Sequence, residues 1–364
     1  MSATDYEDAG VRGQSHALSA VVRHLGPTLG LPADSEVLTR FGQYASVLSV
    51  SEDLAIAIST DGVGSKTVVA SALERYDTIG YDCVAMNVND VICVGARPIA
   101  MVDYLGVHTL DDRRVEEILT GLGAAAKEAG VAIPGGELAQ LPEVIGSNVK
   151  GGNETAFDLV GACVGTLRPD ALVLGQDIEV GDAIIGIASS GIHSNGLTLA
   201  RRVLLDQEGY GLTEEFEVLG RTLGDELLEP TEIYVRAVVD LWADGIETRG
   251  LVHITGDGLA NICRLDAQVG FRIEELLETP AIFKLIREVG DVVDEEMYRV
   301  FNMGIGFVVI VPHAQADAAR QRIDASGYQA RRIGEVVPGP RRVELLPVGL
   351  TGTMADGESH FSSL

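Results

Sequence analysis

Residues 55–67, AIAISTDGVGSKT, constrain the fold of this chain more than any other stretch. Small apolar residues alternate there as in a half-buried strand, then break at Ser59 and Thr60 into an acidic, glycine-rich turn ending in Lys66. Strand, tight turn and helical spacing over 68–74 open an α/β unit. Gly62 and Gly64 permit close backbone approach and positive φ. Asp61 is suited to a divalent cation. Lys66, one of only four lysines among 27 basic residues, is suited to phosphate oxygens as a point charge. Two standard glycine motifs fail here. Ser65 separates Gly64 from Lys66, which breaks the P-loop, and Thr67 replaces the third glycine of the dinucleotide fingerprint. The turn reads as a nucleotide–metal site, with an ordinary solvated β-turn as the alternative.

A chain of 364 residues has room for two domains of about 150 residues each. Its hydrophobic fraction of 46% supports a full core and excludes wholesale disorder. No apolar run approaches the roughly 18–20 residues that span a bilayer. The opening MSATDYEDAG is acidic and polar, unlike a secretory or transit signal, so a cytoplasmic address is expected. A net charge of −27 argues against general nucleic-acid or anionic-membrane binding. A phosphorylated ligand must therefore be held by local donors against an adverse mean field. Cys83, Cys93, Cys163 and Cys263 lack CxxC spacing and lie in apolar surroundings, as buried thiols do.

The patterning predicts a first domain over 1–168. It holds a strand at 54–59, a largely apolar helix at 79–95, a strand at 99–107 and a helix at 110–129. A short strand at 131–134 leads into a Gly135-Gly136-Glu137 turn, and a strand follows at 157–167. The second domain, 169–345, has strands at 183–188, 251–254, 304–311 and 329–336. Its helices are expected at 197–207, 230–242, 282–288 and 315–325. Residues 346–364 read as a polar, flexible tail. The class is α/β (α+β) in two domains.

Asp82, Met86, Asn89 and Asp90 form a polar stripe on the 79–95 helix, at spacings of three and four. A buried carboxylate at Asp90 needs a partner. That partner is either a structural cation or a Mg²⁺ ion shared with Asp61. Asn89 belongs to the same surface, and Glu137 is a candidate ligand or hydrogen-bond acceptor. In the second half, Ser189, Ser190 and Gly191 precede a helix whose N-terminal dipole faces the turn, a phosphate-binding arrangement. His193 lies in that turn, either as a cap or as a proton donor and acid/base. His253 ends the strand LVHI, either as a core histidine or as a site group. Asn302, in FNMGIG, is placed so that its amide faces the same cleft. No Ser–His–Asp order or activated cysteine is visible, so covalent catalysis is disfavoured.

Several blocks together resemble the aminoimidazole ribonucleotide synthetase (phosphoribosylformylglycinamidine cyclo-ligase) family. They are STDGVGSK (59–66), DTIGYDCVAMNVND (77–90), GGELAQLP (135–142), SSGIHSNG (189–196), VHITGDG (252–258) and MYRVFNMGIGF (297–307). YEDAGV (6–11) resembles the family's N-terminal opening, and the similarity spans roughly 6–337. The resemblance implies an N-terminal α/β domain, a C-terminal α+β domain, and a homodimer whose N-terminal domains pair into a β-barrel. It implies ATP-dependent closure of formylglycinamidine ribonucleotide to aminoimidazole ribonucleotide, through an iminophosphate. By the same resemblance Asp61 and Asp90 hold Mg²⁺ on ATP, and Gly62, Gly64, Asn89 and Glu137 line the nucleotide. Lys66 offsets developing charge. Ser190, Gly191, His193, Ser194, Asn195 and Asn302 bind substrate, with His193 first and His253 second for proton handling.

The family pattern is broken at Leu138 and Gln140, where Thr and Glu are usual, and at Asp257, where glycine is usual. The usual GGFG is reduced to Arg40-Phe41-Gly42. These departures leave open another ATP-dependent enzyme of the superfamily, or a non-catalytic nucleotide-binding homologue.

Overall fold

The computed structural model describes residues 15–31, 34–146, 153–355 and 357–364. The YEDAGV block lies outside them. The first domain runs α1 (Ser15–Leu25), β1 (Glu36–Val37), β2 (Ser46–Ser51), β3 (Leu54–Gly62), α2 (Lys66–Leu73), α3 (Asp77–Cys93), β4 (Arg97–Val107), α4 (Asp112–Ala129), β5 (Ala132–Gln140) and β6 (Phe157–Leu167). Its six strands take the order β1-β2-β3-β6-β4-β5. All neighbours are antiparallel except β4 and β5.

Alternation along β3 and β6 decides the two faces of this sheet. Ala55, Ala57, Leu159 and Cys163 turn inward and are fully buried. Leu54 and Ile58 turn outward and stay exposed, as do Val102 and Tyr104 of β4. Helix α3 covers the inner face, and α4 packs on α3 at Gly80 and Gly121. A Cβ on either glycine would lie 2.1 Å from a backbone carbonyl of the facing helix, so only glycine permits that approach.

The second domain runs β7 (Ala183–Ala188), α5 (Leu197–Arg201), β8 (Glu215–Phe216), β9 (Arg221–Thr222), α6 (Leu223–Leu227), α7 (Val235–Ala243), β10 (Gly250–His253), β11 (Gly270–Ile273), α8 (Ala281–Gly290), α9 (Asp294–Val300), β12 (Ile305–Val311), α10 (Ala316–Ala325), β13 (Ala330–Val337), β14 (Val343–Leu345), β15 (Leu350–Ala355) and β16 (Glu358–Ser363). Its main sheet has the order β10-β12-β7-β13-β11-β14-β15-β16. The strands AIIGIA and IGFVVIV lie side by side just inside edge strand β10 and are buried on both faces, which is why they read as unbroken apolar runs. Strand β10 and helix α7 pack against α3 from this side. Helix α3 is therefore enclosed by both domains, and its polar residues face partners rather than water.

Four expectations are corrected. Residues 346–364 form no tail: β15 and β16 pair antiparallel and extend the second sheet. Leu350 is buried there, and Gly352 lies under the Phe361 ring, where a Cβ would come within 2.5 Å. Strand β5 does not turn at Gly135-Gly136-Glu137 but continues along β4 to Gln140. A Cβ on Gly136 would crowd the Asp103 side chain and lie 2.9 Å from its backbone carbonyl, so glycine suits the position. The helix expected at 230–242 starts only at Val235, since the N–H groups of Thr231 and Tyr234 bond to Asp82 and Asn89 of α3. The helix expected at 197–207 is α-helical for five residues and then widens to a π-helix over Arg202–Gln207. Among the described residues, no helix is long and apolar enough to cross a membrane.

Candidate functional site

The polar residues of α3 organise the junction between the domains. Asn87 Oδ1 accepts the N–H of Asp61 at 3.0 Å, and its Nδ2 donates to Asp61 O at 3.1 Å. This double bond fixes the end of β3, and Asp61 Oδ1 caps the following Gly62 N–H at 2.7 Å. Burial, then the charge of Asp90, pushes the Asp61 carboxyl up to about 6. Asp90 thus raises the cost of ionising Asp61 in a sheltered position, which is the electrostatic situation a cation relieves.

Asp90 reaches the second domain. Its Oδ1 accepts from His253 Nδ1 at 3.0 Å, so Nδ1 carries a proton, and in the neutral tautomer this selects, the lone pair is on Nε2. His253 is buried, and its Nε2 has no hydrogen-bond partner among the described residues. Tyr44 donates its hydroxyl to His253 O at 2.8 Å. The Arg264 guanidinium lies 5.1 Å over the Tyr44 ring and pairs with Asp257 at 2.7 Å.

The SSGIHSNG turn forms the opposite wall. Asn302 brackets it: Oδ1 accepts from Ser189 Oγ at 2.8 Å, and Nδ2 donates to Gly191 O at 2.8 Å. His193 holds a positive φ of 67° within it. Its Nε2 accepts from Ser190 N at 3.3 Å and more weakly from Glu232 N at 3.5 Å, which leaves the proton on Nδ1. That Nδ1 is buried without a partner among the described residues. Burial above all lowers the His193 pKa well below the usual imidazole value, so the ring is a neutral donor. Asn195 lies against Gly256, whose Cβ would stand 3.4 Å from Asn195 Oδ1. Thr198 Oγ1 donates to Ser65 Oγ at 3.0 Å, so the two glycine turns of the two domains meet.

Several expected ligand-facing residues are used elsewhere. Lys66 points inward, not toward a phosphate. Its Nζ is fully buried 2.8 Å from Asp82 Oδ2 and also donates to Glu229 O. Asp82 further accepts from Thr231 N and Oγ1, both at 2.7 Å. Ser194 Oγ joins this knot through Asp82 at 3.4 Å and Thr231 Oγ1 at 3.2 Å, and Ser190 Oγ donates to Pro230 O at 2.5 Å. Asn89 spends its amide on Glu232 O and Tyr234 N. Gly62 ends β3, so the turn's positive φ of 72° falls at Gly64 instead. Glu137 is exposed on the edge strand, in the row Glu137–Tyr104–Val160–Gly62. Three strand spacings put it about 14 Å from Gly62, on the face away from α3. Asn87, Asp82, Tyr44, Thr231 and Arg264 do work that the sequence pattern did not assign. For Asn87 a signal existed, because it stands three residues from Asp90 and so shares its face.

Two family descriptions match this chain. Residues 42–167 match the N-terminal domain of AIR synthase related proteins, and residues 179–345 match the C-terminal domain. The chain belongs to the AIR synthase family. Curated relatives include the phosphoribosylformylglycinamidine cyclo-ligase of Methanobrevibacter smithii, 48% identical over 78% of this chain and 80% of that protein. The enzyme of the same name from Thermococcus kodakarensis is 44% identical over 92% of this chain and 96% of that one. Among solved structures, thiamine-monophosphate kinase from Stenotrophomonas maltophilia aligns with a TM-score of 0.61 at 20% identity, over 90% of this chain and 95% of that one. A HypE–HypF complex gives 0.63 at 20% identity, over 92% and 99%. These two share the fold.

Within the AIR synthase frame the departures of this chain have definite places. Leu138 and Gln140 lie on edge strand β5, and Leu138 lines a groove with Leu110, Val115 and Leu119, remote from Asp61. Asp257 is different, because its carboxylate neutralises Arg264 beside the acidic pair.

Proposed function

We propose that this chain is a phosphoribosylformylglycinamidine cyclo-ligase. It uses ATP to close formylglycinamidine ribonucleotide into aminoimidazole ribonucleotide, releasing ADP and phosphate in purine synthesis. The observation that carries the reading is the 44% identity to the Thermococcus kodakarensis enzyme, which extends over 96% of that protein.

The junction supplies groups suited to each step. The formyl oxygen attacks the γ-phosphorus and ADP leaves, giving an iminophosphate. The amidine nitrogen then attacks the activated carbon, the C–O bond to phosphate breaks, and the nitrogen loses a proton. His253 Nε2 offers the lone pair for that proton, with Asp90 fixing the tautomer and stabilising the imidazolium that forms. The Nδ1–H of His193, buried without a partner among the described residues, is suited to donate to developing negative charge. Asp61 and Asp90 each have a second oxygen outside the bonds described above, which fits Mg²⁺. No cage of three or more His, Cys, Asp or Glu side chains exists among the described residues. Asp61 and Asp90 would hold Mg²⁺, which when bound would supply neutralisation of the triphosphate charge.

The exposed apolar outer face of the first sheet supports a homodimer, with two such sheets closing face to face. The enzyme works in the cytoplasm. The deciding experiment incubates purified protein with ATP, Mg²⁺ and formylglycinamidine ribonucleotide and detects aminoimidazole ribonucleotide by diazotisation. ATP-dependent product supports the reading, and its absence from correctly folded protein refutes it.

A further inference from the structure

The serine-rich turn has little left for a substrate's charged end. Ser190 N, Ser190 Oγ and Ser194 Oγ are all engaged within the protein. A phosphate dianion entering a chain of charge −27 needs cations, and three arginines converge on one cavity. This cavity of about 220 Å³ is lined by Arg40, Gln43, Arg264, Arg341 and Met354 among others.

Its charges do not cancel. Arg264 is matched by Asp257 at 2.7 Å. Arg40 and Arg341 share a single carboxylate, Asp266, which also accepts from Gln43 Nε2 at 3.4 Å. Arg341 stands 4.0 Å from Asp266 and 3.4 Å from the Leu265 carbonyl, neither of which is a close charge-assisted bond. Among the described residues, three guanidinium groups thus face two carboxylates, and Arg341 is the least engaged. Guanidinium forks match the oxygens of phosphate in geometry as well as in charge.

The cavity also connects to the site. Arg264 lines it on one side and lies over the Tyr44 ring on the other, and the Tyr44 hydroxyl holds the backbone of His253. Arg264 and Tyr44 thus link the wall of the cavity to the backbone of His253.

We propose that this cavity binds a phosphate monoester, and that its occupant is the 5′-phosphate of the ribonucleotide substrate. The assignment of the occupant rests on the cyclo-ligase reading, whereas the anion site does not. Arg341 is the contact to test, since its side chain is partly exposed.

Two measurements on the full-length protein separate the possibilities. The first follows thermal protection by ribose 5-phosphate and by inorganic phosphate at low ionic strength, for the wild type, Arg341→Ala and Arg341→Lys. Protection of the wild type that Arg341→Ala loses and Arg341→Lys partly keeps supports the site. Equal protection of all three proteins, or of none, overturns it. The second measurement is steady-state kinetics of the same proteins. Loss of one charged hydrogen bond to phosphate raises KM about 10- to 100-fold. Arg341→Ala is expected to raise the KM of the amidine substrate by that factor, with kcat within about threefold and the KM of ATP unchanged. An unchanged amidine KM alongside lost protection overturns the substrate assignment and makes the occupant a free phosphate monoester. A wild type that shows protection but forms no product refutes the cyclo-ligase reading and leaves the anion site standing. Melting temperatures without ligand establish that each variant is folded.

Discussion

His253 Nδ1 lies 3.0 Å from Asp90 Oδ1, across the boundary between the two domains. One residue comes from the helix under the first sheet and the other from the edge strand of the second. Their bond exists only when the domains are docked. It also sets the tautomer that leaves Nε2 free to accept a proton. Removing a positioned general base costs typically 10²–10⁴-fold. His253→Gln is therefore expected to lower kcat by at least about 10²-fold, with the Mg²⁺ dependence of the rate unchanged. Asp90→Asn should lower kcat by a similar factor and also raise the Mg²⁺ concentration for half-maximal rate. Mg²⁺ titrations of both variants check this, and equal Mg²⁺ curves for the two would remove Asp90 from the metal.

Lys66 and Asp82 make a fully buried ion pair. Breaking such a pair from one side leaves an uncompensated charge and costs about 3–5 kcal/mol. Lys66→Met should therefore act on stability, lowering the melting temperature strongly through the stranded Asp82. Protein that stays folded at low temperature should keep a near-normal KM for ATP. Pairing Lys66→Met with Asp82→Asn should recover part of the loss. Thermal melts and ATP kinetics on the three variants test this, and a selective rise in the ATP KM for Lys66→Met would return Lys66 to the phosphate.

The sequence made the core strands legible because their signal is local. The alternation of β3 and β6 and the unbroken apolar runs of β7 and β12 belong to a sheet with one face covered and one with both. The site was legible in part for the same reason. Asp61, Asp90, His193 and His253 stand at strand ends, in a turn and on a polar stripe. What the sequence could not carry is partner choice. Lys66 follows a ligand-like turn, yet docking of the domains turns it onto Asp82, and the same docking uses up the Asn89 amide on the 232–234 segment. The β15–β16 hairpin is rich in Ser, Gly and Thr, so its alternation is faint, although an Asp-Gly pair at 356–357 is a hairpin signal in its own right.

The Asp61 carboxyl is pushed up to about 6 from an ordinary 3.8 by burial and by Asp90. The folded state thus binds its proton more tightly than the unfolded chain does. The penalty is absent below about pH 4, grows as pH rises toward about 6, and is complete above it. The shift corresponds to at most about 3 kcal/mol. Asp61→Asn keeps an acceptor for the Gly62 N–H and removes the charge. Without Mg²⁺ and ATP, this variant should melt higher than the wild type at pH 8 and no higher at pH 4. Its activity should be lost at both. In the wild type, Mg²⁺ affinity should fall about tenfold per pH unit below 6, because the ion competes with that proton. Parallel melts and Mg²⁺ titrations across pH 4–8 check the sign.

Ile58 and Val102 stand on the outer face of the first sheet, 44% and 46% exposed, beside Leu54 and Tyr104. Exposed apolar patches of this kind on a sheet mark an interaction surface. Strands β3, β6 and β4 are consecutive neighbours, so the side chains form one continuous patch instead of scattered residues. In the proposed homodimer this patch meets its copy, and a charge placed on it is opposed by the same charge across the two-fold axis. Val102→Asp should therefore act twice in each dimer. It is expected to shift the protein from dimer to monomer at micromolar concentration in sedimentation velocity. The inner-face packing on α3 is untouched, so the far-UV circular dichroism of the monomer should match that of the wild type. A wild-type protein that sediments as a monomer, or a Val102→Asp variant that stays dimeric, would place the interface elsewhere.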